Sequence, residues 1–214
     1  MQLVDGFYIP DGDKPLHHNA PSVVNHDSAL ADCTLKLLEQ QNSKYRRMVD
    51  VGGNVGRWSR NFATHFKTIT AFEPASYNIE CFKKNCADFD NIELYEFGLY
   101  DSKIKGKLEV VVPEHLGSTR VVPDSDGPIT LNTLDEFNYD DIDVLKIDVE
   151  GAELNVMNGA KETINNCSPI IVIERCFFNQ GSQGKQATDQ WLRDFGYTRK
   201  FKITRDCIYV RDDH

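Results

Sequence analysis

Five carboxylates and one glycine-rich turn are the residues of this chain whose types and spacing suit chemistry. Met48-Val49-Asp50-Val51-Gly52-Gly53-Asn54-Val55-Gly56 runs from an apolar strand pattern through an acid into a glycine corner. A second apolar run, Thr68 to Phe72, ends in Glu73-Pro74, and a third ends in Asp148 with Glu150 two residues on. A fourth, Pro169 to Ile173, ends in Glu174. Glycine permits positive φ and a close backbone approach to a ligand. An ionised carboxylate offers only acceptors, so Glu73 is expected to take both hydroxyls of a ribose. Strand, glycine turn, helix, then a strand with a terminal acid is the layout of a nucleoside-binding α/β unit.

A dinucleotide is disfavoured, because Asn54 occupies a position that G-x-G-x-x-G reserves for glycine, and no P-loop pattern occurs. The D-x-G-x-N-x-G spacing suits S-adenosylmethionine, whose aminoacyl tail replaces phosphates. Asp50 is then expected to face the ammonium, and the turn amides the carboxylate. The plain alternative is a corner whose glycines serve packing alone.

The elements that must position these groups follow from periodicity. A helix is expected from Asp27 or Ser28 to Gln41, preceded by an irregular arm with His17 and His18. Further helices are expected over Val55–His65, Ser76–Ala87, Ala152–Asn165 and Gln186–Phe195, with strands at Ile92–Phe97 and Ile142–Val149. Residues 102–138 break the α/β rhythm with short apolar runs between Pro and Gly, the signature of short antiparallel strands in a β-rich insertion. Tyr197–Ile203 and Cys207–Val210 suggest a closing hairpin. The whole, residues 1–214, is expected to be one domain with an N-terminal arm and helix over 1–45. Its sheet should be mostly parallel, with helices on both faces.

Bulk properties narrow the function. The chain has 214 residues, 40% of them hydrophobic, and a net charge of −9, which argues against a nucleic-acid partner. Its six cysteines form no C-x-x-C pair, so structural zinc is not expected and reduced thiols in a cytoplasmic setting are. No membrane span and no signal peptide are legible.

Val144-Leu145-Lys146-Ile147-Asp148-Val149-Glu150-Gly151-Ala152-Glu153 resembles the K-I-D-V-E-G-x-E signature of FkbM-type S-adenosylmethionine-dependent methyltransferases. Asp50–Gly56, Ala71-Phe72-Glu73-Pro74, Thr133-Leu134-Asp135 and Pro169–Glu174 resemble the same family in the expected order. The resemblance implies a Rossmann-like class I fold: a seven-stranded sheet with an antiparallel last strand. It implies O-methylation of a hydroxyl on a sugar, glycan or small metabolite. By position, Asp50, Gly52, Gly53, Asn54 and Gly56 would hold the methionyl end of the cofactor and Glu73 its ribose, with Asp148 also among the cofactor-binding residues. Asp101, in a segment loosely similar to the family's A-L-S-D, would meet the adenine amine.

Asp148 ends a strand beside the ligand crevice and is the expected base or orienting group, supported by Glu150 and Glu174, with His115 as an alternative base. Glu153 is expected only to complement the dipole of the following helix. Carboxylates 148, 150 and 174 also suit Mg²⁺ or Ca²⁺, although their spacing is not diagnostic and a metal is not favoured. Two further readings stand beside the leading one: an inactive cofactor-binding partner subunit, and a nicotinamide-dependent reductase. The arm, residues 102–138 and the loop from Asn179 to Lys185 are expected to choose the acceptor.

Overall fold

The computed structural model describes residues 1–4, 6–13, 21–112, 115–174 and 181–212. His17, His18, Cys176 and Asn179 lie outside the described residues. The first residues are more regular than expected, since β1 (Gln2–Val4) and β2 (Phe7–Ile9) form an antiparallel hairpin. Asn85 pins it: its Oδ1 accepts from the Tyr8 amide at 2.7 Å and its Nδ2 donates back to the Tyr8 carbonyl at 2.9 Å. Helix α1 spans Pro21–Gln40 and starts earlier than Asp27, with Pro21 at its first position, where a missing N–H costs no hydrogen bond.

Seven strands make the central sheet. They are β3 (Arg47–Val51), β4 (Thr68–Phe72), β5 (Ile92–Tyr95), β10 (Ile142–Ile147), β11 (Ile170–Glu174), β12 (Tyr197–Ile203) and β13 (Asp206–Arg211). The order is β12-β13-β11-β10-β3-β4-β5. Neighbours from β5 to β11 pair in parallel, and β13 runs antiparallel to β11 and β12, as the class I fold requires. Period-two alternation sends Val49, Leu145, Ile147, Ile171 and Ile173 to one face, against Val156, Met157 and Ile164. Met48, Val144, Ile170 and Val172 face the other side and pack on Leu30, Leu37, Leu38 and Phe62. Among the described residues no helix is long and apolar enough to cross a membrane.

The crossovers are α2 (Arg57–Phe62), α3 (Ser76–Asn85), α4 (Glu153–Asn158), α5 (Lys161–Cys167) and α6 (Gly181–Asp194). The single helix expected over Ala152–Asn165 is two, broken at Gly159. A Cβ there would lie 2.0 Å from the Tyr100 carbonyl oxygen, so the backbone bends where only glycine fits.

Residues 98–132 build a second sheet of order β6-β9-β7-β8, from β6 (Gly98–Leu99), β7 (Ile104–Val112), β8 (His115–Pro123) and β9 (Ile129–Asn132). Its strands are longer than expected: β7 and β8 have 9 residues each. Charged residues hid the alternation. Lys105, Lys107 and Glu109 take every second place on β7, and Glu109 pairs across the hairpin with Arg120 at 2.8 Å.

Candidate functional site

The turn after β3 is stitched to β4 before any ligand is considered. Gly52 and Gly53 both donate to the Phe72 carbonyl at 3.0 Å. Gly52 has φ +79°, and a Cβ there would sit 1.9 Å from the Asp148 carbonyl oxygen, so glycine lets the turn close against the end of β10. Asn54 follows in the left-handed region (φ 48°), which asparagine tolerates. Its amide donates to Glu73 Oε2 at 2.8 Å.

Glu73, 5% exposed, sits at the end of β4 and is fully engaged on one side. Oε1 accepts from the Ala75 amide at 2.9 Å and from Asn78 Nδ2 at 3.3 Å. Burial pushes its carboxyl up, opposed by these donors and by Lys146. Close by, Asn54 Oδ1 and Asn78 Oδ1 are buried acceptors without a protein donor.

The second half of the site arises from strand register. Lys146 on β10 stands opposite Asp50 on β3, and one step beyond the Ile147–Ile173 pairing lie Asp148 and Glu174. The Lys146 ammonium is 3.1 Å from Asp50 Oδ1 and 3.6 Å from Asp148 Oδ2, and it donates to the Gly52 carbonyl at 2.9 Å. Ser59 Oγ donates to Asp50 Oδ2 at 2.7 Å. Burial alone would strip the lysine proton, but Asp50 and Asp148 outweigh it and raise the pKa. For Asp148, burial pushes upward, yet Lys146, Glu174 and Arg205 prevail and hold it low.

Glu174 responds in the opposite sense. The Asp148 charge, then burial, drive its carboxyl up, and the two acid side chains are hydrogen-bonded to each other. Arg205 meets Glu174 Oε1 at 3.0 Å. The two carboxyl groups therefore titrate as a pair, with Glu174 holding its proton more tightly than Asp148. Glu150, in the left-handed region (φ 53°), brings a third carboxylate, with one oxygen of each of the three within 4.8 Å of the others. Lys146 and Arg205 already supply positive charge to this group.

Between the two halves lies a cleft of about 620 Å³, open to solvent at its mouth. Asn54, Glu73 and Asn78 line the β4 side and Asp148, Val149 and Glu150 the β10 side, with Gly52 after β3 between them. Leu108, Thr119 and Val121 of the second sheet wall it, and Tyr77 of α3 bonds Thr119 Oγ1 at 2.7 Å.

Four sequence expectations need correction. Asp50 is 0% exposed and lies beneath the turn, paired with Ser59 and Lys146, so it does not face the cleft. Gly53 and Gly56 pack on α3: added Cβ atoms would meet Phe82 at 3.0 Å and Cys86 Sγ at 2.7 Å. Asp101 is exposed, accepts from Asn155 Nδ2 at 2.7 Å and is not among the lining residues. Glu153 is more than a dipole partner, being 3% exposed with Oε1 accepting from the Gly151 amide at 2.8 Å. Burial raises its carboxyl to about 7.

Gly52, Asn54, Glu73, Asp148 and Glu150 do converge on the cleft, with Glu174 behind Asp148. The His115 side chain lies outside the described residues. Sequence reasoning passed over Lys146 and Asn78. The signal for Lys146 was a charge inside an apolar strand, which demands a buried partner; Asn78 left none.

The family model described as the methyltransferase FkbM domain matches residues 50–199. "Methyltransferase 1" of Beauveria bassiana (strain ARSEF 2860) is 24% identical, over 68% of this chain and 69% of its own length. Methyltransferase FkbM from Methylobacillus flagellatus KT superposes with TM-score 0.56 at 19% identity, over 77% of this chain but 43% of that protein. The N-methyltransferase NodS from Bradyrhizobium japonicum WM9, solved with S-adenosyl-L-homocysteine, gives 0.53 at 10% identity over 92% and 90%. At these identities the structural likeness speaks for the fold.

Proposed function

Because the chain belongs to the methyltransferase FkbM domain family, we propose that it methylates a hydroxyl of a small metabolite, sugar or glycan, with S-adenosylmethionine as donor. The observation that carries this reading is the Asp148–Glu174 pair at one end of a cleft whose other end is built around Glu73.

The residues present suit the cofactor. A carboxylate has about four lone-pair sites, and three protein donors already occupy Glu73. One site on Oε2 is left for a single ribose hydroxyl, which narrows the expectation that Glu73 takes both. Asn54 Oδ1 and Asn78 Oδ1 are orphan acceptors suited to the other hydroxyl, and a donor-bearing ligand would remove the cost of leaving them bare. Gly98 and Leu99 offer a flat apolar wall for the base. When bound, the sulfonium supplies an already activated methyl group.

The chain's own residues supply alignment and proton handling. Asp148, with a side chain 38% exposed, accepts the acceptor hydroxyl's hydrogen bond and then its proton. Glu174 keeps its own proton against Asp148 and so limits the negative charge there. Leu108 and Val121 exclude water from the wall. Carboxylates lining this end, with the net charge of −9, favour neutral hydroxyl-rich acceptors over phosphate-rich ones.

Calorimetry with S-adenosylmethionine, S-adenosylhomocysteine and NAD tests the cofactor half. Labelled methyl transfer into pooled glycans, polyols and amines tests the acceptor half. Micromolar binding of both sulfur nucleosides, no NAD binding and label in an ether linkage are expected. Indifference to both sulfur nucleosides at millimolar concentration would overturn the reading. Cofactor binding with label only in amines would move the chemistry to nitrogen, and with no label anywhere would leave a partner subunit.

A further inference from the structure

The position of Lys146 has a role that the transfer chemistry does not by itself require. Its ammonium is one of the most enclosed charges among the described residues, with a side chain 7% exposed, and its three oxygen neighbours come from three different places. Asp50 belongs to β3, the Gly52 carbonyl to the turn that borders the cleft, and Asp148 to the end of β10. A salt bridge made only for stability would need one of these. A Lys on an apolar strand, in register with Asp50, reaches all three because the Gly52 carbonyl turns down toward the sheet.

We propose that Lys146 is the positioning residue of the transfer, a buried ammonium that fixes the glycine turn and the Asp148 carboxylate at one separation, so that donor and acceptor ends of the cleft are aligned as a unit. The inference rests on the reading of Asp148 as the group that meets the acceptor hydroxyl. A misplacement of about 1 Å between reacting groups costs on the order of 10²-fold in rate, so a rigid tie between the two ends has a direct chemical value. Lys146 also opposes the other charges around Asp148. Glu174 on β11, Glu150 on the same loop and Glu153 on α4 are carboxyl groups, while Arg205 in the β12–β13 turn is the second cation. Without the lysine, Glu150 and the proton-holding Glu174 and Glu153 would surround Asp148, with one exposed arginine to balance its charge.

The test compares wild-type protein with Asp50→Asn/Lys146→Met, which removes both charges of the buried pair and leaves no orphan ion. Carboxyl ¹³C titration of the ligand-free full chain, with Asp148 assigned through Asp148→Asn, follows the acid directly and needs no acceptor. Asp148 should titrate below the ordinary aspartate value of about 3.9 in wild type and rise by about one pH unit or more in the double variant. Affinity for S-adenosylhomocysteine should fall about tenfold as the Gly52 carbonyl loses its clamp. An Asp148 midpoint unchanged in the double variant would overturn the proposal. So would a wild-type midpoint above about 3.9, which decides the matter even if the double variant does not fold. Failure of wild type to bind S-adenosylhomocysteine would instead sink the cofactor reading and leave the titration standing.

Discussion

Glu73 and Asp148 close neighbouring parts of one sheet, yet they are held in opposite ways. Glu73 is buried and fixed by uncharged donors, two backbone amides and one side-chain amide, which set its position and leave it a narrow task. Asp148 is partly open and surrounded by charge: a lysine, an arginine-backed glutamic acid and a second carboxylate. Neutral donors specify geometry, whereas charges specify a protonation state. One end of the cleft is thus built to hold and the other to exchange a proton.

The largest effect should come from breaking the second half alone. Asp148→Asn keeps the shape and removes the proton acceptor, so methyl transfer should fall about 10² to 10⁴-fold. Affinity for S-adenosylhomocysteine should stay within about threefold, since the loss is confined to the acceptor end. Kinetics and calorimetry on the same preparation check this, and parallel losses in both would erase the distinction between the ends.

Glu153 sharpens the same contrast through pH. Its carboxyl keeps a proton to about 7 in the folded chain, above the ordinary 4.5, because burial disfavours the charge. Between those values the folded state binds more protons than the unfolded one, so this contribution is full below about 4.5 and lost as pH rises through 7. The gap corresponds to about 3 kcal/mol. Glu153→Gln should flatten that slope and be more stable than wild type at pH 8, while losing little at pH 5. Chemical denaturation at the two pH values reads it, and an unchanged slope would mean that Glu153 is already charged when folded.

Glu73→Gln tests the holding end. The amide brings a donor against amides that need an acceptor, and a charge-assisted bond worth about 1.5 to 3 kcal/mol is lost. Affinity for S-adenosylhomocysteine should fall about 10- to 100-fold by calorimetry. Turnover at saturating cofactor should change less than in Asp148→Asn.

The holding end was the more legible in sequence. Glycine spacing and a strand-terminal glutamate are local signals, and Gly52, Asn54 and Glu73 do line the cleft. The seven-stranded, mostly parallel sheet with an antiparallel last strand followed from the family resemblance, and β13 runs antiparallel. The charged end depends on register between strands far apart in the chain. Nothing near Lys146 announces that Asp50 stands opposite it, so Asp50 was assigned to the ligand when it belongs to the lysine. The break at Gly159 is of the same kind, since its cause is the distant Tyr100 carbonyl. Short-range pattern revealed the elements; cross-strand contacts decided which acid does what.

The smallest effect is expected at Asp101, where resemblance and geometry disagree. By position in the family pattern it would meet the adenine amine. Here it is exposed, its Oδ2 bonded by Asn155 and its Oδ1 by Ser102. An exposed, already bonded carboxylate that is not among the residues lining this cleft contributes little to a ligand, and surface substitutions of this kind change free energies by about 0.5 kcal/mol or less. Asp101→Ala should therefore leave S-adenosylhomocysteine affinity within about threefold. Asn155→Ala frees the same carboxylate without removing it and serves as the paired control. If Asp101→Ala weakened binding tenfold while Asn155→Ala did not, Asp101 would have to leave Asn155 and turn to the base when ligand is present. The holding end would then extend past β6 and include a charge of its own, and the separation of neutral from charged control would fail at that point.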